Sequence, residues 1–284
     1  MRIGIGLPNQ VRDVRPAVIP KWAVRAEQAG FSSLSTVGRI AYPGVTDTVA
    51  LAGAAGATST IELVSTVMLA TVWPPALLAK EIAGIDGISG GRLTLGVGVG
   101  GRADDFVADG HGMAGRGKRF DWDLDTYREI WSGRPYAGGD NPSVPRGTRE
   151  VPLLFGGSSP AAFERMARRG VGYIAPSVPP EAVAGMFDMA RGAWRAAGRT
   201  GDPRLVAISY FAIADADAGR DNVRDYYRNF GNEVADMIAG GLRGTRDSIL
   251  DAVKAFRDTG ADELIFNPGV DDSNEVSRLA DIVL

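Results

Sequence analysis

The feature that most constrains the fold of this chain is the repeated alternation of short apolar runs with longer segments of helical period. The apolar runs are rich in β-branched residues, which is typical of buried parallel strands. Strands are predicted over Arg2–Leu7, Phe31–Val37, Ile61–Leu69, Arg92–Val99, Val151–Phe155, Val171–Ala175, Arg204–Ile213 and Glu263–Asn267. Helices are predicted over Pro16–Ala29, Thr46–Ala57, Pro74–Ile88, Phe120–Trp131, Pro160–Arg169, Pro180–Ala197, within Arg220–Ala239 and over Thr245–Thr259.

This alternation predicts an α/β fold of repeated βα units but leaves two architectures open. Eight strands match a (β/α)8 TIM barrel, in which closure removes the edge strands, and an open doubly wound sheet has the same alternation. Two glycine-rich segments interrupt the pattern, Gly100–Lys118 after strand four and Ser132–Glu150 before strand five. We interpret them as insertions in a single domain of residues 1–284.

Composition excludes several classes of function. The formal net charge is −3 and no block of lysine and arginine occurs, so we expect neither a nucleic-acid partner nor a membrane surface. The absence of cysteine and the single histidine, His111, exclude thiol catalysis, disulfides and Cys/His metal sites. The acidic residues near His111 lack the spacing of a calcium loop, and we expect no metal. We recognise neither a signal peptide nor a membrane span, and we expect a cytoplasmic protein.

Residues that follow the predicted strands are candidates for ligand contacts, because ligands of parallel barrels bind at the carboxyl ends of the strands. Arg39 and Tyr42 follow the second strand, Trp73 follows the third, and His111 lies in the glycine-rich segment after the fourth. We expect these four residues to contact a small-molecule substrate. An exposed loop position is an equally good interpretation of His111.

The stretch Gly91-Arg-Leu-Thr-Leu-Gly-Val-Gly-Val-Gly-Gly101 superficially resembles a dinucleotide-binding loop. Its spacing G-x-G-x-G-G does not fit the G-x-G-x-x-G fingerprint, and Arg102-Ala-Asp-Asp-Phe106 and a further glycine-rich run follow it. Two interpretations remain. Glycine alternates along the strand either because no side chain fits on that face or because a flat ring lies against it.

The stretch Phe155-Gly-Gly-Ser-Ser-Pro160 joins a strand to a helix and has two interpretations. Free N–H groups at a helix start, with glycines and hydroxyls beside them, favour a phosphate site. Serine and proline are also preferred residues for capping a helix without any ligand. Ser177, before the next helix, is a second candidate for an anion contact under the same two interpretations.

Several motifs, taken in order, resemble the bacterial luciferase-like monooxygenase superfamily, and specifically its deazaflavin (coenzyme F420) oxidoreductase branch. The resemblance covers nearly the whole chain, and Ser89-Gly-Gly-Arg-Leu93 is its most specific part. The other motifs are Gly30-Phe31, Pro75-Ala-Leu-Leu-Ala-Lys-Glu81, Gly156-Gly-Ser-Ser-Pro160, Gly244-Thr-Arg246 and Gly260-Ala-Asp-Glu-Leu264. The resemblance implies a TIM barrel and a homodimer.

The resemblance also implies a cofactor site. It places a non-prolyl cis peptide in the third strand, at Thr66–Val67 or alternatively at Ser65–Thr66. By the same likeness, the cofactor ring contacts Ser65, Thr66, Val67, Gly98, Val99, Gly156 and Gly157, and the ribityl phosphate lies near Gly157, Ser158 and Ser177. Metal ligands and catalytic side chains are not assigned.

Two departures from the family pattern bear on the reaction. Gly38 stands where many members have an acidic residue before the equivalent of Arg39, and Gly101 stands where some sugar-oxidising members have a glutamate. A histidine that those members have near Arg39 is also absent. These departures argue against oxidation of an alcohol or sugar phosphate by that acid–base machinery.

The resemblance implies an F420-dependent oxidoreductase that transfers a hydride between the deazaflavin and a small organic substrate. Such chemistry needs few acid–base groups, in agreement with strand ends poor in histidine, lysine and carboxylates. The first alternative is an FMN-dependent flavin monooxygenase with the same fold. The second is a cofactor-free paralogue that acts as a binding protein.

Overall fold

The computed structural model describes residues 1–110 and 112–284, and its strands form one parallel sheet. The strands are β1 (Arg2–Gly6), β2 (Ser33–Thr36), β3 (Glu62–Ser65), β4 (Met68–Leu69), β5 (Leu93–Gly98), β6 (Leu153–Phe155), β7 (Gly172–Ile174), β8 (Arg204–Phe211) and β9 (Glu263–Pro268). The order is β3-β2-β1-β9-β8-β7-β6-β5-β4, and an additional pairing of β3 with β5 closes the sheet. Because β3 and β4 are two parts of one barrel strand, the described chain forms the predicted eight-stranded TIM barrel.

Helices surround the barrel. They are α1 (Val18–Ala29), α2 (Asp47–Ala57), α3 (Pro75–Ser89), α4 (Ala103–Asp109), α5 (Arg116–Trp131), α6 (Pro160–Arg169), α7 (Pro180–Ala196), α8 (Ala216–Tyr227), α9 (Asn232–Gly240), α10 (Arg246–Asp258) and α11 (Glu275–Val283). The sequence analysis missed α4 and α11, which are only 7 and 9 residues long. Helices of this length depend on tertiary packing rather than on a strong local pattern. In the described residues, no helix is long and apolar enough to cross a membrane.

The third barrel strand is interrupted, although the sequence predicts one continuous strand over Ile61–Leu69. Val64 pairs with Thr94 and Met68 pairs with Val97, so three residues, 65–67, lie opposite the two residues 95 and 96 of β5. The extra residue makes a bulge. The Thr66–Val67 peptide bond within it is cis, which confirms the first of the two predicted positions.

Two apolar cores lie on either side of the barrel wall. The larger core packs the helices against the outside of the strands and includes Trp22, Phe187 and Phe266. The smaller core fills the barrel interior with branched side chains from β3, β6, β7, β8 and β9. Its buried members are Val64, Leu154, Ile174, Val206, Ile208 and Ile265, and Val67 of the bulge packs against them.

The Ser89–Leu93 motif fastens α3 to the start of β5. Gly90 and Gly91 adopt positive φ angles of 72° and 84°, which end the helix and turn the chain. The Arg92 guanidinium then donates to the carbonyl oxygens of Ser89, Ile61, Ala55 and Thr58 at 2.6–3.1 Å. This motif is therefore part of the scaffold and lies away from the carboxyl ends of the strands.

Two buried carboxylates have pKa values shifted in opposite directions. Burial favours the neutral form of Glu263, but hydrogen bonds from Ser32 and the charges of Arg204 and Arg2 outweigh it and lower its pKa. Asp47, at the start of α2, has no such cation, and burial raises its pKa from 3.8 to about 6. Ionised Glu263 thus stabilises the fold, whereas ionised Asp47 destabilises it.

Replacing Glu263 with glutamine is expected to lower the free energy of unfolding by about 3 kcal/mol at pH 7, because two arginines lose a buried partner. A lowered pKa in the folded state means that this contribution is present above the unfolded pKa and is lost as the pH falls through the folded value. Urea unfolding measures the difference. The control is Glu164→Gln, which removes an exposed ion pair with Arg168 and costs below about 1 kcal/mol. Equal losses for the two variants would contradict the assignment.

Replacing Asp47 with asparagine is expected to stabilise the protein by up to about 3 kcal/mol at pH 8. A raised folded pKa gives stability that is present below the unfolded value of 3.8 and is lost as the pH rises through about 6. The gain from the substitution therefore grows between about pH 4 and pH 7 and is absent at pH 4 or below. Urea unfolding across this range measures it, with the exposed Asp188→Asn as control. A gain that does not change with pH would refute the raised pKa.

Candidate active site

A cavity of about 450 Å³ opens at the carboxyl ends of the barrel strands, as expected for a parallel barrel. Loops after β2, β6 and β7, the bulge between β3 and β4, and the helices α8 and α9 surround it. Most of its wall is apolar, with side chains from Leu69, Ile174, Ile208, Val234, Met237 and Ile238. The predicted cofactor contacts Thr66, Val67, Gly156, Gly157, Ser158 and Ser177 also line it.

Val67 and Gly156 lie side by side in the wall of this cavity, and we call them the cavity floor. A Cβ atom added to Gly156 would lie 3.1 Å from Val67 Cγ1. Gly98 of β5 does not line the cavity, although a Cβ atom added to it would lie 3.0 Å from Val67 Cγ2. A larger residue at Gly156 would therefore place side-chain atoms on the cavity floor.

Gly96, two residues earlier on the same strand, has a different reason to be glycine. A Cβ atom there would lie 1.9 Å from the Ser65 carbonyl oxygen. The Ser65 hydroxyl donates to the Gly96 carbonyl at 2.7 Å, so the two backbones are tied together across the bulge. Gly96 is thus glycine for packing, as the first interpretation of the alternating glycines has it. Gly98 lies against Val67, and contact of a ring with Gly98 stays a prediction.

The remaining predicted ring contacts lie beside the cavity rather than in its wall. Ser65 is fully buried behind the bulge. Val99 lines a neighbouring cavity of about 480 Å³, which shares Gly156, Gly157 and Ser158 with the first cavity. Arg116, Lys118 and Arg165 contribute basic side chains to this second cavity, whose volume lies outside the barrel mouth.

The start of α6 has two features, a helix cap made by Ser159 and the preceding glycine pair Gly156-Gly157, which lines the cavity. The Ser159 side chain accepts a hydrogen bond from the Ala162 N–H, which confirms the capping interpretation for that hydroxyl. Tyr173 donates its hydroxyl to the Gly157 carbonyl at 2.9 Å and so fixes the glycine pair. Ser158 is exposed and faces both cavities. Ser177 precedes α7 as part of the cavity wall and does not cap that helix.

Three of the four predicted substrate contacts lie outside the wall of the first cavity. The Arg39 guanidinium is paired with Asp104 and Asp105 and donates to the Tyr226 carbonyl at 3.1 Å. The Tyr42 hydroxyl donates to Asp225 at 3.0 Å. Trp73 packs beside Phe106 in a small apolar cluster under α4. His111 lies outside the described residues, and substrate contact by these four residues stays a prediction.

An arginine and three aromatic rings form a part of the cavity wall that the sequence analysis did not identify. The Arg102 guanidinium carbon lies 4.8, 5.2 and 4.5 Å from the ring centroids of Tyr226, Tyr227 and Phe230. All four residues line the cavity. The aromatic run Tyr-Tyr-Arg-Asn-Phe at 226–230 was a usable signal, but its pairing with Arg102 joins residues more than 120 positions apart.

The phenols of this wall are neutral groups. Burial raises the pKa of both Tyr226 and Tyr227, since neither has a counter-charge strong enough to offset desolvation. The Tyr226 hydroxyl donates to the Gly38 carbonyl at 3.0 Å, and the hydroxyls of Tyr227 and Tyr210 lie 3.0 Å apart. The wall therefore brings one positive charge and no phenolate to the cavity.

Known proteins resemble this chain in fold and in sequence. A solved F420-dependent secondary alcohol dehydrogenase, in complex with an F420-acetone adduct, superposes with a TM-score of 0.82 at 16% identity over 99% of this chain and 98% of its own. The monooxygenase RslO1 from Streptomyces bottropensis superposes with a TM-score of 0.78 at 25% identity over 99% and 97% of the two chains.

A relative from Mycobacterium tuberculosis, itself uncharacterized, is 30% identical over 175 residues, which are 51% of this chain and 61% of the relative. The chain thus aligns with less than two thirds of that protein. The model of the family described as luciferase-like monooxygenase matches residues 1–263. With that match extending over nearly the entire barrel, the chain belongs to the luciferase-like monooxygenase family.

Proposed function

We propose that this protein is an oxidoreductase that binds the deazaflavin coenzyme F420 in the cavity at the barrel mouth and transfers a hydride between it and a small organic substrate. The observation that carries the proposal is the cavity floor, where Gly156 has no side chain to cover the part of Val67 that faces the cavity. A planar ring needs such a surface, because it must lie flat against protein atoms on one side.

The residues present fit a deazaflavin in three respects. The cavity is concave and largely apolar, as expected for a tricyclic ring. The glycine pair Gly156-Gly157 connects it with the start of α6, where backbone N–H groups suit a phosphate. Beyond Ser158, the basic side chains of Arg116 and Lys118 suit the anionic tail of the coenzyme.

When bound, the deazaflavin supplies the two electrons and the hydrogen nucleus of a hydride, which pass between its ring and a substrate carbon. The protein's part is to hold both partners and to exclude water. Leu69, Ile174 and Ile208 give the cavity an apolar wall, which favours transfer between two carbon atoms in contact. Arg102 brings a positive charge to the cavity.

A flavin monooxygenase that uses FMN is the second candidate, since the solved structure with 25% identity is a monooxygenase. The cavity floor would accept either ring. The two functions differ in chemistry because a deazaflavin has carbon where a flavin has the nitrogen next to its oxygen-reactive carbon.

Titration of the cofactor-free protein with F420 and with FMN, followed by quenching of cofactor fluorescence, is expected to show tight binding of F420 and at least about ten-fold weaker binding of FMN. Tight binding of FMN without binding of F420 would overturn the proposal in favour of the monooxygenase. Absence of quenching with both cofactors would favour the cofactor-free binding protein.

Replacing Gly156 with alanine is expected to raise the Kd for F420 by about ten-fold or more, because the new methyl group occupies the cavity floor at 3.1 Å from Val67 Cγ1. The fold should survive, since the contact is with a side chain rather than the backbone. Gly185→Ala on α7 is the matched control, because no atom lies within 4 Å of its added Cβ. Unchanged F420 affinity in Gly156→Ala would show that the ring binds elsewhere.

A further inference from the structure

Arg102 differs from an ordinary buried arginine in having no hydrogen-bond or ion-pair partner in the described part of the chain. Its residue is 6% exposed, and it lines the cavity. Its Nε atom is buried without a hydrogen-bond partner. Within residues 1–110 and 112–284, no carboxylate forms an ion pair with it, and its guanidinium lies over the rings of Tyr226, Tyr227 and Phe230.

Arg39 is a second buried arginine near Arg102, and acidic side chains compensate its positive charge. Its guanidinium is paired with Asp104 and Asp105 and donates to two backbone carbonyls. Arg102 lies near the same Tyr226 ring, yet neither aspartate reaches it. Asp104 and Asp105 are thus committed to Arg39, and the positive charge of Arg102 is left for the cavity.

The aromatic rings stabilise and orient the Arg102 side chain without neutralising it. A guanidinium over aromatic faces keeps its N–H groups free at its edge, where they are available to an acceptor. Tyr226 and Tyr227 stay neutral because burial raises their pKa values. A buried cation without a counter-ion is costly, and the cost is removed when an anion binds beside it.

We infer that Arg102 is a specificity-determining residue that anchors the carboxylate of a substrate, so that the substrate class is a small carboxylate with an apolar body. A carboxylate matches the forked N–H geometry of a guanidinium, and the apolar body matches the surrounding wall of Leu69, Val234 and Met237. This inference rests on the proposed function, because it assigns the substrate of the same cavity.

The cofactor is a second source of anionic groups. A negatively charged edge of the reduced ring, or the phosphate of the tail, has the chemistry that Arg102 accepts. Binding of a carboxylate to the cofactor-free protein separates the two sources, because no cofactor is then present to supply the charge.

The experiment uses benzoate as the carboxylate probe and benzamide as its neutral counterpart, with calorimetric titration of the cofactor-free full-length protein. The variants are Arg102→Gln, which removes the charge, and Arg102→Lys, which keeps it. The control is Arg199→Gln, whose guanidinium lies 3.9 Å from the Trp194 ring centroid but does not line the cavity. Thermal unfolding without ligand verifies that each variant is folded.

We expect benzoate to bind the wild type and the Arg199 variant at least about ten-fold more tightly than benzamide does. Arg102→Gln is expected to lose this preference, and Arg102→Lys is expected to keep part of it. Equal affinity of wild type and Arg102→Gln for benzoate would overturn the inference, and so would equal binding of benzoate and benzamide to the wild type.

The same variants are also titrated with F420. This titration distinguishes a failure of the carboxylate inference from a failure of the proposed function. Loss of F420 binding in Arg102→Gln with unchanged benzoate binding would assign the arginine to the cofactor and overturn the inference, while the proposed function would stand. Benzoate selectivity in a protein that binds no F420 would leave the carboxylate site intact and overturn the proposed function.

Discussion

The bulge in the third barrel strand is the constraint on which the rest of the site depends. Three residues, 65–67, lie opposite two residues of β5, and the Ser65 hydroxyl holds the Gly96 carbonyl at 2.7 Å. The bulge turns Val67 toward the barrel mouth, where it lies on the interior core that ends with Ile174 and Ile208. The cavity floor is therefore supported by the packed barrel interior, which suits a site that must orient two reactants.

The glycines of the stretch Gly91–Gly101 have separate physical roles. Gly91 has a positive φ angle beside the helix end, and Gly96 allows two backbones to approach. Gly98 borders the floor, and an added Cβ on Gly101 would lie 3.1 Å from the Phe230 ring. The glycines of this one stretch thus lie in the scaffold, beside the cavity floor and beside the aromatic wall. Because each glycine has a different structural reason, the stretch matches neither the fingerprint of a nucleotide-binding loop nor the pattern of a simple buried strand.

Local patterns predicted the repeated βα units, because strand and helix periodicity are properties of short segments. The choice of a closed barrel over an open sheet, and the cofactor contacts of the glycine stretches, came from the resemblance to the family. The bulge between Ser65 and Met68 was expected only from the resemblance to the family. The aromatic wall was not predicted at all, since Arg102 and Tyr226 meet only when the loops after β5 and β8 converge. The sequence also does not tell which of Arg39 and Arg102 is paired with acidic residues. Only the three-dimensional structure assigns Asp104 and Asp105 to Arg39.

We propose that the barrel mouth holds a deazaflavin ring against Val67 in the cavity that Arg102 also lines. A crystal structure of the protein with F420 tests this most directly. The account predicts the ring in van der Waals contact with Val67 and with the Gly98 and Gly156 backbones, and the phosphate near Gly157 and Ser158. Density for the ring outside this cavity, or a cavity that stays without a ring at saturating F420, would contradict it.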